Sequence, residues 1–290
     1  MEKHQSETNI KWALFLNLAF TLIELAGGLW TQSLAILSDA LHDLGDSTAL
    51  GMAWFMERLS HKQRTNRYSY GYRRFSLLGA LINAVILIAG GFVVLSRAVP
   101  RLMNPEPTFA PGMLGFAILG VVVNGIMVYR LRRDSSHNSK MVAWHMLEDV
   151  LGWTAVLIVS IILLFSDLYI LDPVLSVLIT SYVLFRVVKR LYTTLALFLQ
   201  AVPENIDIDA IEKRFKALDH VSSIHHTHIW SLDGEHHVLT THLVVDENIS
   251  RDEVIGLKGR VRALTKKMKI SHITVEIEYG ESECGSEHSP

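Results

Sequence analysis

The sequence predicts an all-α membrane domain of six transmembrane helices followed by a small cytoplasmic α+β domain. Three observations carry this. Long apolar runs fill the first two-thirds of the 290 residues, and half of all residues are hydrophobic. Charged residues amount to only 19%, below the usual quarter, and they crowd into the last third. One short pattern also occurs twice in apolar surroundings: His42-x-x-x-Asp46 in LSDALHDLGDS and His145-x-x-x-Asp149 in AWHMLEDVLGW. The first two observations divide the chain into a membrane part, 1–202, and a soluble part, 203–290. The third locates the chemistry.

Six spans of about 18–25 residues can be drawn, each long enough to cross the hydrocarbon layer as a helix. They cover 12–30, 33–56, 75–94, 112–129, 142–165 and 171–188. The second and fifth are the least apolar, and both carry the repeated pattern. The sixth can run on as an amphipathic segment to Leu199. The N-terminal MEKHQSETNIK is polar and mixed in charge. The apolar run behind it is interrupted by Asn17 and Glu24 and has no small-residue cleavage signal, so it reads as a retained span, not a signal peptide.

The loops give an orientation. Arg58, Lys62, Arg64, Arg67, Arg73 and Arg74 lie between spans two and three. Arg130, Arg132, Arg133 and Lys140 lie between four and five, and Lys189 and Arg190 follow span six. The alternate loops are nearly free of basic residues, with Arg97 and Arg101 between spans three and four. The positive-inside rule then puts both termini in the cytoplasm, as expected of a multi-pass protein of the cell (inner) membrane.

From Pro203 the pattern changes. Ile208, Ile211, Phe215 and Leu218 suit a short amphipathic helix. VSSIHHTHIWSL and HHVLTTHLVV read as strands around the Asp233-Gly234 turn signal. Ser250 with Glu253 three residues on is a capping box opening a second helix. SHITVEIEY alternates as a third strand, with His272, Thr274, Glu276 and Glu278 on one face. The expected order is α-β-β-α-β. A domain this small gains stability from a metal or from pairing with another copy.

Residues i and i+4 lie one turn apart on one helix face. Each repeat can therefore aim an imidazole and a carboxylate at one point. Two such helices side by side offer two nitrogens and two oxygens, a tetrahedral set for a divalent ion. A single pair reads equally well as a structural hydrogen bond between packed helices. Two pairs of equal spacing, in spans otherwise poor in charge, favour metal, because ionisable groups inside a span mark a substrate path. The mixed donor set suits Zn²⁺, with Cd²⁺ and Co²⁺ close behind. Asp39, three residues before His42, is a candidate to orient the imidazole from behind. Asp43 and Glu148 adjoin ligands in sequence and are expected on other faces. Asn83 and Asn124 are expected to hydrogen-bond between helices.

These residues resemble the cation diffusion facilitator family, specifically its zinc-type members, over nearly the whole chain. The matching stretches are SLAILSDALHDLGD, YGYRRFSLLGALINA, HMLEDVLG, Asp172-Pro173 and the HIWSL strand. The resemblance implies a homodimer in which each protomer moves a divalent ion against protons, and a metallochaperone-like cytoplasmic domain. It places His225, His242 and Glu278 on positions that hold metal in that domain, with Glu276 and His272 as weaker candidates. His236 and His237, beside the hairpin, are expected to be solvated. Some bacterial relatives carry loop histidines where this chain has Tyr68 and Tyr72, so a loop zinc site is not expected here. His61 has no evident partner.

The single cysteine, Cys284, excludes an internal disulfide and reads as a bystander near the chain end. No nucleophile elbow, phosphate-cradling glycine loop or H-E-x-x-H is present, so no catalytic residue and no organic cofactor are expected. The net charge of −2 says nothing by itself about partners. The expected partners are a divalent metal ion, protons, the lipid bilayer and a second copy of the chain, with no nucleic acid. Two other classes compete with a proton-coupled zinc exporter. An intramembrane metallohydrolase would need an open coordination position, whereas four protein ligands close the shell. A membrane-tethered sensor would have no use for matched ligands in mid-bilayer.

Overall fold

A computed structural model of the chain describes residues 2–60, 65–132, 137–268 and 270–280. Some side chains within these ranges, that of His145 among them, lie outside the description, as do His61 and Cys284 altogether. Six long helices come first: α1 (Glu2–Thr31), α2 (Leu34–Ser60), α3 (Phe75–Met103), α4 (Ala110–Arg132), α5 (His137–Phe165) and α6 (Leu171–Phe198). There follow α7 (Ile208–Lys216), β1 (Val221–Ser231), β2 (His237–Val245), α8 (Arg251–Lys267) and β3 (Ile270–Tyr279).

The chain divides into two compact units, one of Met1–Phe55 with Gly79–Leu191 and the other of Met56–Leu78 with Tyr192–Pro290. In the first unit the described secondary structure is all helical, and a helix is the one open-ended element that satisfies its own polar groups in an apolar medium. Among the described residues, four stretches are long and apolar enough to cross a membrane: Phe75–Met103, Ala110–Leu131, Met146–Phe165 and Leu171–Phe198. Phe15–Thr31 is a shorter apolar stretch. The fifth helix, expected to be among the least apolar, qualifies although Glu148 and Asp149 lie within its stretch. The buried core joins Phe20, Ile36, Met113, Trp153 and Val156. Gly120 admits the Trp153 ring so closely that a Cβ there would lie 2.1 Å from it.

In the second unit the strands form one sheet in the order β1-β2-β3. β1 and β2 are an antiparallel hairpin and β2 and β3 are parallel, which requires the crossover that α8 supplies. Gly234 takes φ +98° in the hairpin turn. Asp233 Oδ1 accepts from the amides of Glu235 at 2.9 Å and His236 at 2.8 Å. Helices α7 and α8 cover one sheet face through Phe215, Leu239, Leu243, Leu257 and Val261. Ser250 caps α8, accepting from the Glu253 amide at 3.3 Å, while the Glu253 carboxylate accepts from the Ser250 amide at 2.8 Å. The opposite sheet face carries His225, His242 and Glu278.

Candidate metal centre

The membrane-domain site is built on α2 and α5. His42 Nε2 lies 3.5 Å from Asp46 Oδ2 on its own helix and 3.9 Å from Asp149 Oδ1 on α5. Asp149 is buried, and His42 and Asp46 are partly so. Donor atoms bound at about 2.0–2.1 Å to one tetrahedral ion sit about 3.4 Å apart, so His42 stands near ligand spacing from each carboxylate, although the three groups do not meet within 4.8 Å of one another as the tail residues do. His145 belongs to α5 one turn before Asp149, and its side chain lies outside the description.

Several contacts set the position of α2. Asp172 on α6 accepts from the Ser33 hydroxyl at 2.5 Å and from the amides of Leu34 at 2.8 Å and Ala35 at 3.3 Å. It thus caps the first turn of α2 from another helix. One turn on, the Ser38 hydroxyl bonds Thr180 of α6. Asn17 on α1 donates to the Ser47 hydroxyl at 3.3 Å. Gly45, beside Asp46, lets α3 approach, because a Cβ there would lie 2.1 Å from Leu87 Cδ2. The helix carrying two of the candidate ligands is therefore held by α1, α3 and α6.

One expectation about a neighbouring polar residue needs correction. Asn124 donates to the Gly120 carbonyl at 3.2 Å on its own helix, not across to another, because a helix-interior amide reaches the carbonyl one turn back. Asp43 is fully buried and sits within electrostatic reach of Glu24, Asp39 and Asp149. Glu24 was legible in the sequence only as an interruption of a span, yet it too is fully buried. Asp39 is buried, with its Oδ1 3.6 Å from where a Gly152 Cβ would stand. Glu148 points elsewhere, to an exposed ion pair with Arg186.

The tail cluster comes from three strands. Register sets His225 opposite His242, and His242 beside Glu276. Glu278 Oε1 lies 2.6 Å from His242 Nδ1, and Glu278 Oε2 lies 3.1 Å from His225 Nε2. One ligand atom from each of the three lies within 4.8 Å of the others, and among the described residues this is the group so placed. Glu278 is buried although it belongs to the polar face of β3, and His225 Nε2 is buried without a hydrogen bond. A buried carboxylate held between two imidazoles fits a cation. Glu276 Oε2 stands 3.4 Å from His242 Nε2, whereas His272 packs edge-on to the Tyr70 ring at 5.6 Å. His226, which the spacing of the strand did not single out, also packs against this cluster, its ring centre 5.1 Å from those of both His225 and His242. Partial desolvation, reinforced by His225, His242 and His228, holds its imidazole below the usual histidine value.

Of the hairpin histidines, His236 bonds Asp233 Oδ2 through Nδ1 at 2.7 Å. His237 is partly exposed. Its Nδ1 is unbonded, and desolvation lowers its pKa. Tyr68, Tyr72 and Phe75 form an aromatic cluster with ring centres 4.9–5.5 Å apart.

Two family models match this chain: the cation efflux transmembrane domain over residues 10–199, and the cation efflux protein cytoplasmic domain over residues 203–279. The chain belongs to the cation efflux, or cation diffusion facilitator, family. It is 33% identical over 275 residues to the metal cation efflux system protein CzcD of Cupriavidus metallidurans, covering 94% of this chain and 87% of that protein. It is 29% identical to the zinc transporter ZitB of Escherichia coli, covering 92% and 86%. It is also 29% identical to a cadmium, cobalt and zinc/H⁺-K⁺ antiporter of Bacillus subtilis, covering 89% and 85%.

Proposed function

We propose that this chain is a secondary transporter that exports Zn²⁺ from the cytoplasm by proton antiport, working as a homodimer, with Cd²⁺ and Co²⁺ as alternative cargo. All six long helices cross the membrane in this reading, with both termini in the cytoplasm of the cell that owns the membrane. Residues 1–202 form the transport domain and 203–290 the cytoplasmic domain. The observation that carries the reading is His42 Nε2 standing between Asp46 on its own helix and Asp149 on α5, at 3.5 Å and 3.9 Å. The names of the CzcD and ZitB relatives support metal efflux and zinc as cargo.

His42, Asp46, His145 and Asp149 hold the transported ion as two imidazoles and two carboxylates. Metal binding needs neutral imidazole and ionised carboxylate, so protons compete for the same side chains. Histidine is the side chain that changes charge between about pH 5 and 8, which makes the two histidines the proton carriers. An acidic outer space loads the outward-facing site with protons and releases the ion, and the inward-facing site deprotonates before rebinding. Four protein ligands leave no open position for a hydrolytic water, so no enzymatic activity is assigned. His225, His242 and Glu278 hold a resident zinc ion in the tail, where it ties the three strands together.

The test is zinc flux in proteoliposomes with imposed pH and K⁺ gradients and an internal pH reporter. The expected outcome is zinc movement driven by the proton gradient, with protons moving the other way. Equal zinc rates with the proton gradient present, absent or reversed, with no proton counter-movement, contradict antiport.

A further inference from the structure

The tail cluster contains one histidine that a regular strand would have sent to the opposite face. Successive strand residues alternate between faces, so His225 and His226 would normally point apart. The register shows why they do not. His225 pairs with His242, and the next pair is His228 with Thr240. β1 thus spends three steps where β2 spends two, which is a β-bulge. His226 sits in it at φ +49°, in the left-handed region that non-glycine residues seldom occupy and that strained functional positions often do. Thr227 takes the inward direction, its hydroxyl 2.9 Å from that of buried Thr241. The bulge therefore turns His226 back over the face that carries His225, His242 and Glu278.

The spacing of the three rings is informative. A zinc–nitrogen bond of about 2.0–2.1 Å puts the imidazole centre about 3.2 Å from the ion, so two imidazoles at the tetrahedral angle have centres about 5.2 Å apart. The observed separations are 5.1 Å for His225–His226, 5.3 Å for His225–His242 and 5.1 Å for His226–His242. The ring planes meet at 73°, 53° and 52°. The planes are steeply inclined, not stacked; a His226 nitrogen does not yet stand within 4.8 Å of donor atoms from all three of the others, so its ring turns about its side-chain bonds to join them on a metal. Glu278, in contact with His225 and His242, adds the oxygen donor.

We propose that His226 is the fourth ligand of the tail site, which is thus a closed centre of three imidazoles and one carboxylate supplied by a single chain. The proposal rests on the reading of His225, His242 and Glu278 as a metal site. It implies a centre complete without a donor from a second copy. A closed four-coordinate shell holds metal structurally and leaves no position for chemistry. The competing fourth donor is Glu276, 3.4 Å from His242 but exposed.

The test uses full-length protein in detergent and Co²⁺ as an optical probe. Asp46→Ala and Asp149→Ala silence the membrane site, and Cys284→Ser removes the native thiol. In this background Co²⁺ should give the intense visible bands of tetrahedral geometry. His226→Ala should replace them with the weak bands of higher coordination and loosen Co²⁺ by at least about tenfold. His226→Cys should restore the intense bands and add a sulfur-to-cobalt charge-transfer band, which only a ligand at position 226 produces. Glu276→Gln should leave the spectrum unchanged. His242→Ala serves as the control on the underlying reading. If it leaves Co²⁺ binding intact, the tail site itself is wrong and the fourth ligand falls with it. If it abolishes binding while His226→Ala changes neither spectrum nor affinity and His226→Cys gives no charge-transfer band, the fourth ligand alone is overturned. A spectral change in Glu276→Gln and none in His226→Ala assigns the position to Glu276 and overturns it equally.

Discussion

His42 is the residue on which the membrane site turns. It lies 3.5 Å from a carboxylate on its own helix and 3.9 Å from one on α5, so it links the two helices that carry the proposed ligands. His145 contributes the second nitrogen in the proposed site, and its identity sets the hardness of the donors. Replacing it with carboxylate adds charge and oxygen, which favours harder ions such as Mn²⁺ over zinc. His145→Asp should therefore flatten the ranking of Zn²⁺ and Cd²⁺ over Mn²⁺ in vesicle competition. An unchanged ranking would place selectivity elsewhere. The repeated His–Asp spacing was legible because helical geometry turns a sequence offset of four into a shared face. The position of Glu24 and the approach of Asp43 to Asp149 were not, because both depend on the packing of α1, α2 and α5. His226 escaped for a related reason: strand alternation sends it to the other face, and only the bulge reverses that.

At the scale of elements, α2 depends on a cap it does not own. Asp172 of α6 takes the Ser33 hydroxyl and the Leu34 and Ala35 amides. Removing the carboxylate orphans those buried donors, at a cost of about 1–3 kcal/mol. Asp172→Ala should lower the melting temperature in detergent and slow zinc flux, because the free end of α2 shifts the helix that carries His42 and Asp46. In the tail, Ser250→Ala removes the cap of α8, worth about 1 kcal/mol, and should speed hydrogen exchange of the first-turn amides. The reciprocal bond has a pH signature. The Ser250 hydroxyl and then its amide hold the Glu253 carboxylate below its ordinary value. A lowered folded pKa stabilises fully above the unfolded value of about 4.3 and loses that stabilisation as pH falls through the folded value. The exchange difference between the native chain and Glu253→Gln should accordingly be constant near neutrality and shrink on acidification. The elements of the tail, with Gly234 in the turn and Ser250 at the cap, were legible because local chemistry dictates them. The helix ends in the membrane part were less so: α3 runs to Met103 although the apolar run suggested 94, since amphipathic and basic residues continue a helix beyond the lipid.

For the whole molecule, the account joins a transport site in the helical unit to a resident metal in the tail unit. The two sites share chemistry but not purpose. The proposed membrane site sits where ionisable groups are costly, and in that reading it must bind and release. The candidate tail site draws its residues from β1, β2 and β3, so in the proposed reading a metal there holds the small sheet. That its ligands come from three strands was legible, but which residues meet was not deducible from spacing alone, because β3 pairs parallel to β2 after a crossover that brings Glu278 next to His242.

The central claim is that His42, Asp46, His145 and Asp149 bind one transported ion together. The most direct measurement is zinc uptake into proteoliposomes by the native chain and by Asp149→Ala, reconstituted at equal density and checked for equal dimer content. Loss of flux to the level of empty vesicles, with assembly unchanged, is the result this account predicts. Zinc flux retained in Asp149→Ala at the native rate would contradict it.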